Sequence, residues 1–214
     1  MALPVGNQLL DHRVMDVLVL ETEPGFADVA VDELSDRGHR VSRCHEPGRP
    51  AFPCRALEPQ GSCPLIEPGI DVAVTLRAHP GARPSPREDG VACALRARVP
   101  VVVAGRVAFN PYEEWADEVV EDGDVVGACE RVAAEPSRGH TQVAQTALRE
   151  AVGRRAGSAG AADAVVFRNR HGLRVWLDGV DRLDQKIRGL VAAEVAAALR
   201  AFDAQAPRID ISLA

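Results

Sequence analysis

Aromatic side chains are scarce in this chain, which has two Trp, one Tyr and five Phe among its 214 residues. A packed core must therefore rest on Val, Leu and Ala, and the apolar content of 46% is ordinary for a globular protein. Lysine is almost absent as well. Lys186 is the single lysine beside 24 arginines, a bias toward Arg to which we attach no functional meaning.

Long apolar runs are also missing. No stretch approaches the roughly 20 apolar residues that a membrane-spanning helix needs, and residues 1–15 lack the apolar segment of a secretory signal. We therefore expect no membrane span and a cytoplasmic location. In that compartment the five cysteines are expected to be thiols or metal ligands rather than a disulfide framework.

Three common catalytic signatures do not occur: a Gly-rich phosphate-binding loop, a G-x-S-x-G nucleophile turn and an H-E-x-x-H zinc helix. Their absence removes the usual indications of these enzyme classes. It does not exclude an enzyme that works through other residues.

Charge is distributed unevenly along the chain. Residues 1–136 carry 13 basic and 23 acidic side chains, a net charge of −10, whereas residues 137–214 carry 12 and 8, a net charge of +4. This asymmetry favours two domains with different partners. We place a lead-in at 1–15, domains at 16–135 and 140–214, and a linker at 136–139.

The first domain alternates strands and helices. Residues 16–20 form a continuous apolar strand, 26–37 have helical spacing, and 39–43 return to a strand, which is the pattern of a parallel α/β unit. Further strands are predicted at 71–76, 99–105 and 118–120, and further helices at 87–98, 110–115 and 124–134.

The second domain has the predicted order helix, strand, strand, helix, strand. A helix at 140–155 precedes strands at 164–167 and 173–177, which a hairpin turn at 169–172 connects. A long helix capped by Asp181 and a final strand at 208–213 complete a small α+β domain.

Residues 16–135 resemble the receiver domain of response regulators, which has a flavodoxin-like fold. The resemblance rests on residues 17–24, 71–81 and 99–105. It implies a parallel sheet with helices on both faces.

The residues that receiver domains use for phosphoryl transfer are mostly replaced. The family has two acids after its first strand, a phosphoacceptor Asp after the third, Ser or Thr after the fourth and Lys after the fifth. Here Glu21 retains one acid, whereas Thr22, Leu76 and Gly105 stand at the other positions, and no lysine precedes 186. The resemblance therefore implies a pseudo-receiver that does not accept phosphate.

Residues 140–214 resemble the alkaline-shock protein family of small bacterial α+β domains, in element order and in a strand at 173–180 followed by a long amphipathic helix. Members of that family act in envelope stress and scaffolding. The resemblance implies an interaction domain without catalysis.

A proline-rich segment at 44–69 fits no helix and occupies the place where a doubly wound fold would have its next helix. Cys44, His45, Cys54 and Cys63 lie in it and could bind zinc, although no pair has the short spacing typical of zinc sites. A Cys54–Cys63 redox or disulfide pair and free thiols are the alternatives. Outside this segment, Cys93 and Cys129 are expected to be small core residues on apolar helix faces.

A second candidate site lies where the predicted parallel strands end. Ligands of open α/β sheets bind at that edge, so Glu21, Arg77, His79 and Arg106 could frame a pocket for an anion or small ligand. The alternative, which we favour, is a set of solvated loop charges.

The hairpin of the second domain is basic, with Arg168, Arg170, His171 and Arg174. Nucleic acid could bind it electrostatically, but Trp176 is its one aromatic stacking partner and no nucleic-acid motif is present. We therefore favour a solvated hairpin or an acidic protein partner over nucleic acid.

Taken together, these patterns predict a non-catalytic regulatory or scaffolding protein that binds a protein partner or a second copy of itself. The alternative is a metal- or ligand-binding protein, or an enzyme, whose site is the segment at 44–69.

Overall fold

The structure is a computed structural model that describes residues 14–46, 48–67, 69–121, 123–157 and 160–213. The predicted lead-in lies almost wholly outside these ranges. Within them the chain forms eight strands: β1 (Asp16–Glu21), β2 (Arg40–Arg43), β3 (Val72–Arg77), β4 (Val101–Gly105), β5 (Glu118–Val120), β6 (Asp163–Asn169), β7 (Gly172–Asp178) and β8 (Ile209–Leu213). The same residues form five α-helices: α1 (Asp28–Asp36), α2 (Asp89–Arg96), α3 (Val125–Ala134), α4 (Arg138–Ala156) and α5 (Gln185–Phe202).

The strands make two separate sheets. A five-stranded parallel sheet has the order β2-β1-β3-β4-β5, and a three-stranded mixed sheet has the order β6-β7-β8. The predicted α/β class is confirmed, as is the order helix, strand, strand, helix, strand after residue 137. The order 2-1-3-4-5 is one of the two common orders of doubly wound sheets.

Alternation along the central strands divides the core of the parallel sheet between its two faces. Val17 and Val19 on one face pack with residues of α1 and α3, such as Leu34 and Cys129. Leu18 and Leu20 face the other side, where α2 supplies Val91 and Ala94. Every residue of β1 and β3 is buried, as the continuous apolar runs predicted.

The second sheet has its own core. The side chains of β6 and β7 alternate, and their inward residues, such as Val166 and Val175, pack against α4 and α5. This cluster contains no residue of the parallel-sheet half, so each half of the described chain buries a hydrophobic core independently.

Polar contacts nevertheless join the two halves. Arg168 of β6 donates hydrogen bonds to the carbonyl oxygens of Ile70 and Ala97, both at 3.1 Å. The backbone N–H of Arg170 donates to the Asp71 carboxylate at 2.9 Å, and its guanidinium pairs with Asp16. The amino edge of the parallel sheet therefore lies against the β6–β7 hairpin.

Three local predictions are wrong. Residues 111–115 form turns instead of a helix. The N-cap of α5 is Asp184, whose side chain accepts a hydrogen bond from the Ile187 N–H at 2.8 Å, and not Asp181, because the helix begins one turn later than predicted. Cys93, which was predicted to be a core residue, is exposed.

Helices α3 and α4 lie close together in the chain. Arg138 and Gly139, assigned to the linker, belong to the first turn of α4, and three residues, Glu135, Pro136 and Ser137, separate that helix from the end of α3 at Ala134.

Because each half has its own core, a fragment covering 136–214 should fold without the rest of the chain. We expect its circular dichroism spectrum to show helix and its thermal unfolding to be cooperative. A matched fragment ending at residue 184 lacks Val191, Val195 and Leu199 of α5 and should be disordered. A disordered spectrum for the longer fragment would contradict two independent domains.

Candidate functional site

The carboxyl ends of β1, β3 and β4 meet at one edge of the parallel sheet, where open α/β sheets bind ligands. Register places Glu21 beside Leu76, and Arg77 beside Gly105. A 3₁₀ turn at Pro86–Glu88, directly before α2, contributes the remaining side chain of this edge.

Glu88 and Arg77 form a buried charge pair at this edge. The Glu88 side chain is fully buried, and its Oε1 lies 3.8 Å from Arg77 Nη1. The carboxylate also accepts hydrogen bonds from the Thr75 hydroxyl at 3.0 Å and from the Ser85 backbone N–H at 2.8 Å. Arg77 Nη2 also donates to the Gly81 carbonyl at 2.9 Å, whereas its buried Nε and Nη1 have no hydrogen-bond partner among the described residues.

Glu21 is also used internally. Its Oε2 accepts hydrogen bonds from the backbone N–H groups of Gly25 and Ala27, which shape the entry into α1. Two cations lie near its other oxygen, Arg43 at 3.7 Å and Arg87 at 3.9 Å. The Glu21 carboxylate is therefore held by hydrogen bonds from the turn before α1 and by the positive charges of Arg43 and Arg87.

The other two residues of the predicted ligand pocket lie at the surface. His79 Nε2 is 3.0 Å from Glu23 Oε1, and both side chains are mostly exposed. Arg106 is exposed, and its backbone N–H donates to the Arg77 carbonyl at 2.8 Å. The four predicted residues thus share one edge, where Glu21 and Arg77 are buried and His79 and Arg106 are exposed. That they bind a ligand stays a prediction.

Glu21 lies beside part of the Cys/His-rich segment. It lines a cavity of about 10 Å³ together with Arg43, Cys44, His45 and Arg87. That volume corresponds to roughly one water molecule. The structure therefore brings the two predicted sites together at Glu21.

Burial raises the pKa of the Cys44 thiol to about 12, and the nearby Cys63, Cys54 and Cys93 thiols raise it further. The segment returns to Cys44 through a hydrogen bond from the Arg55 N–H to the Cys44 carbonyl at 2.8 Å. All five cysteines in the chain are free thiols. Across the described ranges, no three His, Cys, Asp or Glu side chains are close enough together to hold a metal ion.

His45 is the most unusual residue of this segment. Both ring nitrogens are buried, and neither has a hydrogen-bond partner among the described residues. Burial and the nearby Arg87 lower its pKa, so the imidazole is kept neutral. A neutral ring with free nitrogens is the form that binds metals.

Cys129 is buried as predicted, and burial raises its pKa to about 12. Cys93 is exposed because Gly90, Val91 and Ala94 form the buried face of α2. A Cβ added at Gly90 would lie 2.6 Å from Leu20 Cδ2 and 2.9 Å from Cys44 Sγ, so the glycine brings the helix close to the sheet. A glycine adds nothing to an apolar pattern, which is why Cys93 was wrongly placed on the inward face.

Glu88 was missed by the sequence analysis, although a signal was present. Ser85 and Glu88 form a capping box, and the S-x-x-E spacing that marks it can be recognised in the sequence. The basic hairpin also has a role that the sequence did not indicate, since Arg168 and Arg170 contact the acidic half of the same chain.

No family model, curated protein or solved structure matches this chain. In the part of the chain that the structure describes, no helix combines the length and apolar character needed to cross a membrane.

Replacing Glu88 with Ala should strongly destabilise the protein. The change leaves the Arg77 guanidinium and the Thr75 hydroxyl buried without their carboxylate partner, and the loss of one member of a buried pair typically costs about 3–5 kcal/mol. The control is Glu150→Ala, which removes an exposed i,i+4 pair with Arg154 and should cost about 0.3–0.5 kcal/mol. Urea unfolding of both variants measures the difference, and equal midpoints would contradict the role assigned to Glu88.

Proposed function

We propose that this chain is a regulatory or scaffolding protein in which a pseudo-receiver unit is joined to an interaction domain. The observation that carries this proposal is the closed carboxyl edge of the parallel sheet. There the buried Arg77 and Glu88 pair with each other, and Glu21 holds the turn into α1. The Glu21 and Glu88 carboxylates already accept hydrogen bonds from the protein, so they are poorly suited to bind Mg²⁺ for phosphoryl transfer.

The strand order 2-1-3-4-5 supports the receiver-like part of the proposal, since receiver domains share it. Leu76, at the position of the phosphoacceptor, packs into the core on the α1 and α3 face. Gly105, at the position of the Ser or Thr, has a φ of +90°. Neither residue has a side-chain oxygen that could take part in phosphoryl transfer.

The open face of the second sheet supports an interaction role for residues 140–214. Phe167 and Trp176 meet edge to face at 5.2 Å, and Arg174 lies 5.3 Å from the Trp176 ring. Aromatic and Arg side chains are enriched at protein interfaces, and Trp176 is 37% exposed. A protein partner, or a second copy of the chain, is the ligand we propose. The functional class that we propose for this domain is the envelope-stress role of alkaline-shock proteins.

The pseudo-receiver should not accept phosphate. After incubation of the full chain with Mg²⁺ and a small phosphodonor, we expect an unchanged intact mass, because Leu76 has no nucleophilic oxygen. A receiver domain with an intact acceptor Asp is the positive control for the reagent. A stable phosphoadduct on residues 16–135 would refute the proposal.

A second candidate function is metal or small-ligand binding by the segment at 44–69. The chain would then be an enzyme if the bound metal or ligand takes part in a reaction. His45, whose buried ring nitrogens have no partner among the described residues, favours such binding, together with the thiols of Cys44, Cys54 and Cys63. Three thiolates and an imidazole are a ligand set that fits zinc. Binding would require the thiols to approach one another more closely than they do here.

Elemental analysis of the purified chain distinguishes the two candidates. Under metal binding, zinc should be present at about one equivalent and should be lost in Cys54→Ser and Cys63→Ser but retained in Cys93→Ser. Proteolysis between 45 and 69 should then be faster in the first two variants, because the closed segment loses its constraint. Metal-free protein with equal protease resistance in all three variants would leave the cysteines without a functional role.

A further inference from the structure

Three polar side chains meet where the start of α4 approaches the end of α5. Ser137 Oγ lies 2.7 Å from His140 Nδ1, and His140 Nε2 lies 3.1 Å from Asp203 Oδ2. His140 and Asp203 are 1% and 3% exposed, whereas Ser137 is partly accessible. Both distances fall in the range expected between a nucleophile, its base and the group that orients the base.

The charge on Asp203 determines which way these hydrogen bonds run. Burial tends to raise its pKa, but the hydrogen bond from His140 and the nearby Arg168 prevail, so the pKa is lowered and the group is a carboxylate. A carboxylate can only accept hydrogen bonds. In the neutral imidazole this acceptor places the proton on His140 Nε2, and Nδ1 then presents its lone pair to the Ser137 hydroxyl.

Ser137 occupies the N-cap position of α4, yet its side chain does not cap the helix. The hydroxyl turns to His140 instead. The first N–H groups of a helix have no acceptor within it, so those of Arg138 and Gly139, which directly follow Ser137, are suited to stabilise negative charge. Phe202 fixes the imidazole from the side, with the two rings edge to face at 5.2 Å.

A cavity opens beside this group of residues. It has a volume of about 170 Å³ and lies between the two halves of the chain, where Leu95, Arg98 and Pro100 face Ser137, His140 and Phe202. Its lining combines the charged Arg98, Asp117 and Arg168 with the apolar Leu95 and Phe202, and a cavity of about 150 Å³ can hold a molecule as large as benzene. A short acyl group therefore fits next to the Ser137 hydroxyl.

We propose that Ser137 is an activated nucleophile that cleaves small carboxylic esters, with His140 as its general base and Asp203 as the residue that positions His140. This inference goes beyond the proposed function and does not rest on it, because it concerns the junction between the halves and not the carboxyl edge of the parallel sheet. The geometry, and not the order of residues along the chain, identifies such a group.

In the first step Ser137 Oγ forms a bond to the carbonyl carbon while His140 Nδ1 takes the hydroxyl proton. The tetrahedral oxyanion is held by the N–H groups at the start of α4. The bond to the alcohol oxygen then breaks, and His140 returns its proton to that oxygen. Water next attacks the acyl-serine with His140 again as base, and Ser137 regains its proton when the carboxylic acid leaves.

A serine-directed fluorophosphonate tests the nucleophile on the full chain. We expect one adduct, located by mass spectrometry on the peptide that contains Ser137. Ser137→Ala should abolish it, whereas Ser35→Ala, at an exposed serine that bonds the Val31 carbonyl, should react at the rate of the unmodified protein. His140→Gln should react at least about 100-fold more slowly, since a general base contributes about 10²–10⁴-fold.

Asp203→Asn tests the positioning role. An amide can donate to Nε2 and so favours the tautomer with the proton on Nδ1, which cannot accept from Ser137. The rate of labelling should fall while Asp203→Glu restores part of it, a pattern that loss of packing alone does not produce. If labelling of the folded protein is absent, or equal in Ser137→Ala, the proposal is wrong.

Ser137→Cys keeps the test decisive if the His140 variant does not fold. The introduced thiol should be alkylated by iodoacetamide faster than Cys93, which is already exposed, because His140 removes its proton. A slower reaction than that of Cys93 would show that His140 does not act as a base and would overturn the proposal.

Discussion

The arrangement of the two halves depends on the pairing of Arg170 with two buried acids at the amino edge of the parallel sheet. Asp16 and Asp71 are 3% and 2% exposed, and a buried carboxylate is costly unless it is paired and hydrogen-bonded. Asp71 accepts the N–H of Asp16 on one oxygen and the N–H of Arg170 on the other, both at 2.9 Å. One side chain thus connects the first strand of the chain to the hairpin of the second sheet.

That pairing gives the two edges of the parallel sheet different roles. The amino edge is occupied by contacts within the molecule, and the carboxyl edge carries Arg77 at the end of β3 and Glu88 in the turn before α2. The pairing also uses part of the opposite charges of the two halves of the sequence. Part of the basic charge after residue 137 serves the acidic half of the same chain, so it is a poor guide to an external partner.

Strands and helices followed from the sequence where local chemistry decides them. The apolar runs at β1, β3 and β4 are buried on both faces and could belong only to a covered parallel sheet. The hairpin between β6 and β7 followed from alternation and turn residues. What the sequence could not supply was pairing across long separations, because no local pattern links His140 to Asp203, or Arg168 to Ile70. Ser137, His140 and Asp203 were therefore not among the predicted site residues, and ligand binding by the predicted ones stays a prediction.

Gly105 limits how the carboxyl edge of the sheet could change. A Cβ at this position would lie 2.6 Å from the Arg77 carbonyl oxygen, and its φ of +90° is strained for any other residue. A serine or threonine could not enter until the backbone of Arg77 had moved. In evolutionary terms, the order of substitutions is constrained: a single mutation at 105 would be harmful on its own, so a change near Arg77 would have to come first.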